Sequence, residues 1–158
     1  MAKILVSSCL LGCKVRYNGS CMRVEDAHFK QLLEPHEIIP FCPEVSAGLP
    51  IPRVPAEIKS GEGTHVLQGK AKVVGIDGTD FTDYFYRGAQ MALDKCLAEK
   101  ISLAILTEAS PSCGSALIYD GSHKGNKIAG AGVTAALLRE NGITVCSQHD
   151  ADRLLNEI

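Results

Sequence analysis

The stretch Lys3-Ile4-Leu5-Val6-Ser7-Ser8-Cys9-Leu10-Leu11-Gly12 decides the fold. Lys3 to Ser8 reads as a short β-type run that breaks at Cys9-Leu10-Leu11-Gly12, which predicts a first strand followed by a loop. Val24 to Leu33 then carries apolar residues at 24, 27, 29, 32 and 33, mostly at helical spacing, and stops before Pro35. Glu37 to Cys42 supplies a second strand, weakened near its end by Pro40. The three segments have the length of one strand, helix, strand unit. Its parallel strands end at Cys9 and Cys42.

Working outward, the same rhythm returns. Ser102 to Thr107 is a buried strand broken by Ser110-Pro111-Ser112-Cys113-Gly114, and a helix from Val133 to Asn141, a strand from Ile143 to Cys146 and a helix from Asp150 to Glu157 follow. A longer helix covers Thr82 to Lys100, with Thr79, Asp80 or Thr82 available to cap it. Between these parts, Pro43 to Pro55 holds four prolines and reads as a loop over a site. Ala56 to Lys59, Thr64 to Gln68 and Lys70 to Ile76 read as short antiparallel strands joined by glycine-containing turns. The expected fold is therefore α/β: a three-layer, mostly parallel, Rossmann-like sheet with helices on both faces and a small antiparallel insertion.

The 158 residues suit one domain over 1–158. No apolar run is long enough to span a bilayer, so no membrane partner is expected. Sixteen Lys plus Arg against eighteen Asp plus Glu leave a net charge of −2. That balance provides no basic field to hold nucleic acid through counterion release, so strong nucleic-acid binding is not expected. Met1-Ala2-Lys3-Ile4-Leu5-Val6 lacks the pattern of a secretory signal, which makes a reducing cytoplasm the expected location.

In that compartment the seven cysteines, at 9, 13, 21, 42, 96, 113 and 146, are metal ligands, nucleophiles or buried hydrophobes before they are disulfide partners. Cys96 and Cys146 sit in regular apolar pattern and read as core. Cys9, Cys42 and Cys113 each stand beside Pro, Gly or Ser just after an apolar run has ended. In parallel sheets ligands bind beyond the carboxyl ends of the strands, where the strand order reverses. Three strand ends thus deliver three thiols to one edge. Soft ligands of this kind select zinc, copper(I) or iron-sulfur clusters over hard cations. The chain has no C-x2-C pair, the usual zinc spacing, and Cys9 with Cys13 forms only a C-x3-C. Unrelated buried or reactive thiols remain the alternative on spacing alone.

Four motifs add to this reading. They are Ser7-Ser8-Cys9-Leu10-Leu11-Gly12 with Arg16-Tyr17-Asn18-Gly19, Cys42-Pro43-Glu44 with Gly48-Leu49-Pro50-Ile51-Pro52-Arg53, Ser110-Pro111-Ser112-Cys113-Gly114, and Ile118-Tyr119-Asp120-Gly121. In this order, from about residue 3 to 147, they resemble the bacterial family that includes the 2-thiouracil desulfidases, in its short stand-alone form. Asn18 departs from the Asp more usual there. The resemblance implies a [4Fe-4S] cluster held by Cys9, Cys42 and Cys113, with one iron free of protein thiolate. It implies catalytic roles for Glu44 and Ser110. It also implies a non-redox reaction in which thiolated pyrimidines, as base, nucleoside or nucleotide, lose sulfur as sulfide.

The residues give that chemistry physical sense. A thiocarbonyl sulfur is soft and matches iron, and Glu44, two residues after a ligand, is placed to take a proton from water. Arg16 and Arg53 are candidates for holding a uracil carbonyl or a phosphate, with solvated loop arginines as the alternative. Ser110 either closes a turn or relays a proton, and Ser112 is its rival beside the substrate. Cys13 and Cys21 stay unassigned. His123, ten residues beyond Cys113, reads as a surface histidine with a proton carrier as the alternative, and Gly125 to Gly132 opens a helix whose N-terminus is suited to an anion. Two other classes compete: an iron-sulfur redox sensor without catalysis, and a cluster-free cysteine hydrolase. The hydrolase needs a histidine base, and only His36, at the wrong end of the second strand, lies within nine residues of Cys9, Cys42 or Cys113.

Overall fold

A computed structural model of the chain describes residues 2–11, 27–108 and 110–155. The start of the first helix at Val24, Arg16 with its motif, Cys13, Cys21 and the end of the last helix at Glu157 lie outside those residues.

β1 (Lys3–Ser7) runs into a 3-10 turn over Ser8–Leu11, and α1 (Ala27–Leu33) leads to β2 (Glu37–Phe41). A four-residue helix, α2 (Pro43–Ser46), follows at once with Pro43 in its first turn, where the missing N–H costs nothing. β3 (Ala56–Lys59), α3 (Gly63–Leu67) and β4 (Lys72–Gly75) form the insertion, and α4 (Thr82–Glu99) is the longest helix among the described residues. β5 (Leu103–Ile105), the pair β6 (Leu117–Tyr119) and β7 (Lys127–Ala129), α5 (Val133–Glu140), β8 (Thr144–Cys146) and α6 (Ala151–Leu155) complete the order.

The main sheet has the order β2-β1-β5-β8, and every pairing is parallel. The register sets Leu5 beside Ile39 and Ala104, and Ala104 beside Val145. Alternation along the strands then sorts the core into two halves. Leu5, Ala104 and Val145 pack with Phe85, Ala89 and Ala92 of α4 and with Val133 and Leu138 of α5. Ile4, Val6, Leu103, Ile105 and Cys146 pack with Phe29 and Leu33 of α1 and Ala151 and Leu155 of α6. Helices thus cover both faces, as the alternating pattern predicts. Cys96 and Cys146 are buried in these halves, and burial pushes each thiol up to about 11. Both are therefore packing groups at neutral pH.

Three local expectations need correction. The segment predicted as a strand over Thr64 to Gln68 is helical, because the Glu62 N–H donates to His65 Nδ1 (3.1 Å) and so caps the turn. The Gly63 N–H also donates to the Ala131 carbonyl (2.7 Å), and Val66 is buried in the core. β3 and β4 pair antiparallel as expected, with Ile58 opposite Val73. Second, the Pro43 to Pro55 loop contains α2. Third, β6 and β7 form an antiparallel pair that the sequence pattern hides, since β7 is exposed throughout and Ile118 of β6 supplies the buried anchor.

One close approach ties the long helix to the site. A Cβ on Gly88 of α4 would lie 2.4 Å from the Pro43 carbonyl oxygen, so only glycine lets α2 rest on α4. Helix propensity alone favours alanine at such a position by about 0.5–1 kcal/mol. Gly88→Ala is expected to act in the opposite direction, lowering stability in denaturant unfolding by about 1–3 kcal/mol through overpacking. A gain in stability would show that α2 is not held by this contact.

Candidate active site

The sheet order reverses at β1, which has β2 on one side and β5 on the other. Their carboxyl ends open into a cavity of about 340 Å³. Cys9 comes from the turn after β1, Cys42 immediately follows β2, and Cys113 comes from the loop after β5. All three line this cavity, together with Glu44, Arg53 and Ser110.

The β5 loop is fixed by hydrogen bonds at each step. The Leu106 N–H donates to the Cys146 carbonyl (2.8 Å) and the Thr107 N–H to Ser7 Oγ (2.9 Å). The Thr107 hydroxyl meets Cys9 Sγ (2.6 Å), joining the loop after β1 to the loop after β5. The Glu108 carboxylate accepts the N–H groups of Ser115, Ala116 and Leu117 and the Ser115 hydroxyl. Ser110 Oγ accepts the N–H groups of Ser112 (3.2 Å) and Cys113 (2.6 Å). Ser110 therefore closes the turn that presents Cys113, and its O–H donor remains for the cavity.

Electrostatics report the same convergence. Burial pushes the Cys113 thiol far above the ordinary thiol range, and the negative potentials of Glu44, Cys42 and Cys9 push it further, against the Ser112 hydroxyl. Cys42 is also raised, first by burial, while the amides of Val45 and Glu44 and the Arg53 charge pull it down. An activated cysteine nucleophile needs the opposite shift. Cys42 and Cys113, raised in this way beside a carboxylate, ionise together only against a concentrated positive charge, which is the chemistry of a metal-holding donor set. Among the described residues no three His, Cys, Asp or Glu side chains are grouped to hold a single metal ion. Three sulfurs lining one cavity are a soft donor set, which by its chemistry suits an iron-sulfur group.

The remaining candidates divide. Arg53 lines the cavity, but its Nη2 is 2.9 Å from Glu44 Oε2 and its Nη1 donates to the Pro50 carbonyl (3.1 Å). With its side chain only 5% exposed, Arg53, expected from the sequence to bind substrate, is paired with Glu44 at the cavity wall. Ser112 is fully buried and its Oγ meets Thr134 Oγ1 of α5 (2.7 Å), so it faces the core and does not line the cavity as expected. The anion site expected at the start of the Val133 helix is closed. Its first N–H groups, those of Val133, Thr134 and Ala135, donate to the carbonyls of Pro111 and Ser112. Arg16 lies outside the described residues.

His123, read as a surface residue, lines the cavity with Glu57 and Tyr119. The Ile118-Tyr119-Asp120-Gly121 motif marked Tyr119 in the sequence, whereas nothing local distinguishes Glu57 on its polar strand. Its partner His123 is 66 residues away.

Comparison with known proteins shows the family and the fold. A family model described as 2-thiouracil desulfurase matches residues 4–150. The uncharacterized protein YbbK of Bacillus subtilis (strain 168) is 44% identical over 152 residues, covering 96% of this chain and 99% of YbbK. The solved structure of a [4Fe-4S]-dependent thiouracil desulfidase, TudS, superposes with a TM-score of 0.87 at 43% identity, covering the whole of both chains.

The Arg53 to Glu44 pair carries a stability prediction. Both side chains are largely withdrawn from water, so Arg53→Ala breaks a mostly buried ion pair and should cost about 3–5 kcal/mol in unfolding experiments. A loss below about 1 kcal/mol would mean that the pair is as weak as an exposed one.

Proposed function

The chain belongs to the 2-thiouracil desulfurase family, and from that premise we propose that it converts thiolated pyrimidines to their oxo forms in a [4Fe-4S]-dependent, non-redox reaction. Water supplies the oxygen of the new C=O, the C=S bond breaks, and sulfur leaves as sulfide with the bonding electrons, so no oxidant or reductant is needed. The observation that carries this reading is the single cavity shared by Cys9, Cys42, Cys113, Glu44 and Ser110.

Cys9, Cys42 and Cys113 would hold the cluster. Three thiolates for four irons leave one iron free of protein ligand, and the bound group supplies a soft Lewis acid for a thiocarbonyl sulfur. Glu44 accepts the proton of the attacking water. Arg53 pairs with Glu44 and fixes its direction from an almost fully buried position. Ser110, whose oxygen is occupied by two backbone N–H groups, has its hydroxyl hydrogen available to donate to the substrate ring. Phe41, Phe81 and Phe85 give the cavity apolar surface for a flat ring and keep bulk water from it. Among the described residues no helix is long and apolar enough to cross a membrane.

Anaerobic reconstitution with iron and sulfide, followed by assay of uracil and sulfide from 2-thiouracil, tests the reading. Glu44→Gln is expected to keep the cluster absorbance and lower turnover by about 10²- to 10⁴-fold, the usual worth of a general base. Cluster-loaded protein that releases no sulfide from any thiolated pyrimidine would favour the redox-sensor alternative. Wild-type turnover by Glu44→Gln would remove Glu44 from the chemistry.

A further inference from the structure

The cavity has a polar feature that the chemistry above does not use. Glu57 of β3 and His123, in the turn between β6 and β7, both line it. Glu57 Oε1 accepts the N–H groups of Gly121 (2.9 Å) and His123 (3.2 Å). Glu57 Oε2 faces His123 Nδ1 at 3.6 Å, and the two side chains are 11% and 17% exposed respectively. The turn is pressed onto β3, since a Cβ on Gly121, whose φ is +91°, would lie 2.7 Å from the Ile58 carbonyl oxygen. His123 itself takes a left-handed φ of 58°. Backbone strain and two N–H bonds are thus invested in holding one carboxylate against the cavity.

We infer that Glu57 is a specificity-determining acceptor for a ring N–H of the substrate, with His123 as its positioning residue. This rests on the proposed function for the identity of the substrate. A carboxylate accepts and never donates, so this edge matches a heterocycle with an unsubstituted ring nitrogen beside its carbonyl or thiocarbonyl. Oε1 is occupied by the backbone, which leaves Oε2 as the reading atom. An N-methylated ring offers no proton there and leaves Oε2 without a ring donor in a mostly buried setting, the arrangement that discriminates strongly between close analogues.

The test is equilibrium binding of uracil, 1-methyluracil and 3-methyluracil to the cluster-loaded protein, with parallel kinetics on the matching 2-thiouracils. At least one methyl derivative should bind about 10- to 100-fold more weakly than the parent. If 3-methylation alone is penalised, the site accepts a nucleoside or nucleotide, in which ribose replaces the N1 proton. If 1-methylation is penalised, the site takes the free base. Glu57→Gln preserves an oxygen for the Gly121 and His123 N–H groups but turns the reading atom into a donor. It should raise KM for the parent by a similar factor, change kcat by less than about threefold, and shrink the methyl penalty, a readout that a purely structural latch would not move. His123→Asn, which tolerates the left-handed backbone, should act in the same direction more weakly. The parent and both methyl derivatives binding alike, or none binding, would overturn the inference, as would an unchanged methyl penalty in Glu57→Gln. N–H-dependent uracil binding by a protein that releases no sulfide would refute the desulfuration reading and leave this one standing.

Discussion

β1 is the constraint on which the rest of the molecule depends. Ile4, Leu5 and Val6 are all 0% exposed, and both neighbours of the strand run parallel to it. A parallel neighbour cannot be reached by a tight turn, so the chain must cross a face of the sheet before each return. The crossings supply the helices that bury both faces, and they bring the carboxyl ends of β1, β2 and β5 out at one edge. At the point where the order reverses, the crossings leave in different directions and open a crevice. Cys9, Cys42 and Cys113 reach that crevice because of this topology. They inherit their relative positions from the least exposed part of the protein.

The cavity is further specified by groups that each hold another group in place. Ser110 fixes the Cys113 turn, Glu108 ties down the loop after it, and Arg53 holds Glu44. Gly88 lets α2 lie against α4, so the segment carrying Cys42 and Glu44 is anchored to the longest helix. Burial makes the arrangement selective. A low dielectric raises the cost of thiolate and carboxylate charge near one another, and a multiply charged metal group offsets that cost where solvent does not.

What the sequence revealed depended on whether the deciding interaction was local. The four strands of the main sheet were readable because each is a short apolar run ended by a breaker, and the three cysteines stood out because they follow those breakers. α3 was misread because its cap, Glu62 with His65, and its docking on Ala131 outweigh a strand-like composition. The pairing of β6 with β7 escaped because an exposed strand carries no alternation. Arg53 and Ser112 were recognisable as residues near the site, but their partners, Glu44 and Thr134, decide what they do. Glu57 and His123 meet only through the tertiary fold, and no spacing rule connects them. The start of α5 looked like an anion site because its glycines are visible in sequence, while the carbonyls of Pro111 and Ser112 that occupy it are not.

The central claim is that three thiols from three strand ends hold one cluster in which a single iron is left to the substrate. Mössbauer spectroscopy of iron-57-reconstituted protein, with iron and sulfide counted per chain, tests it most directly. The account predicts about four irons and four sulfides per chain, with one iron in four changing its spectrum when 2-thiouracil is added and the other three unaffected. A single metal ion per chain, or a four-iron cluster whose sites all ignore the substrate, would contradict it.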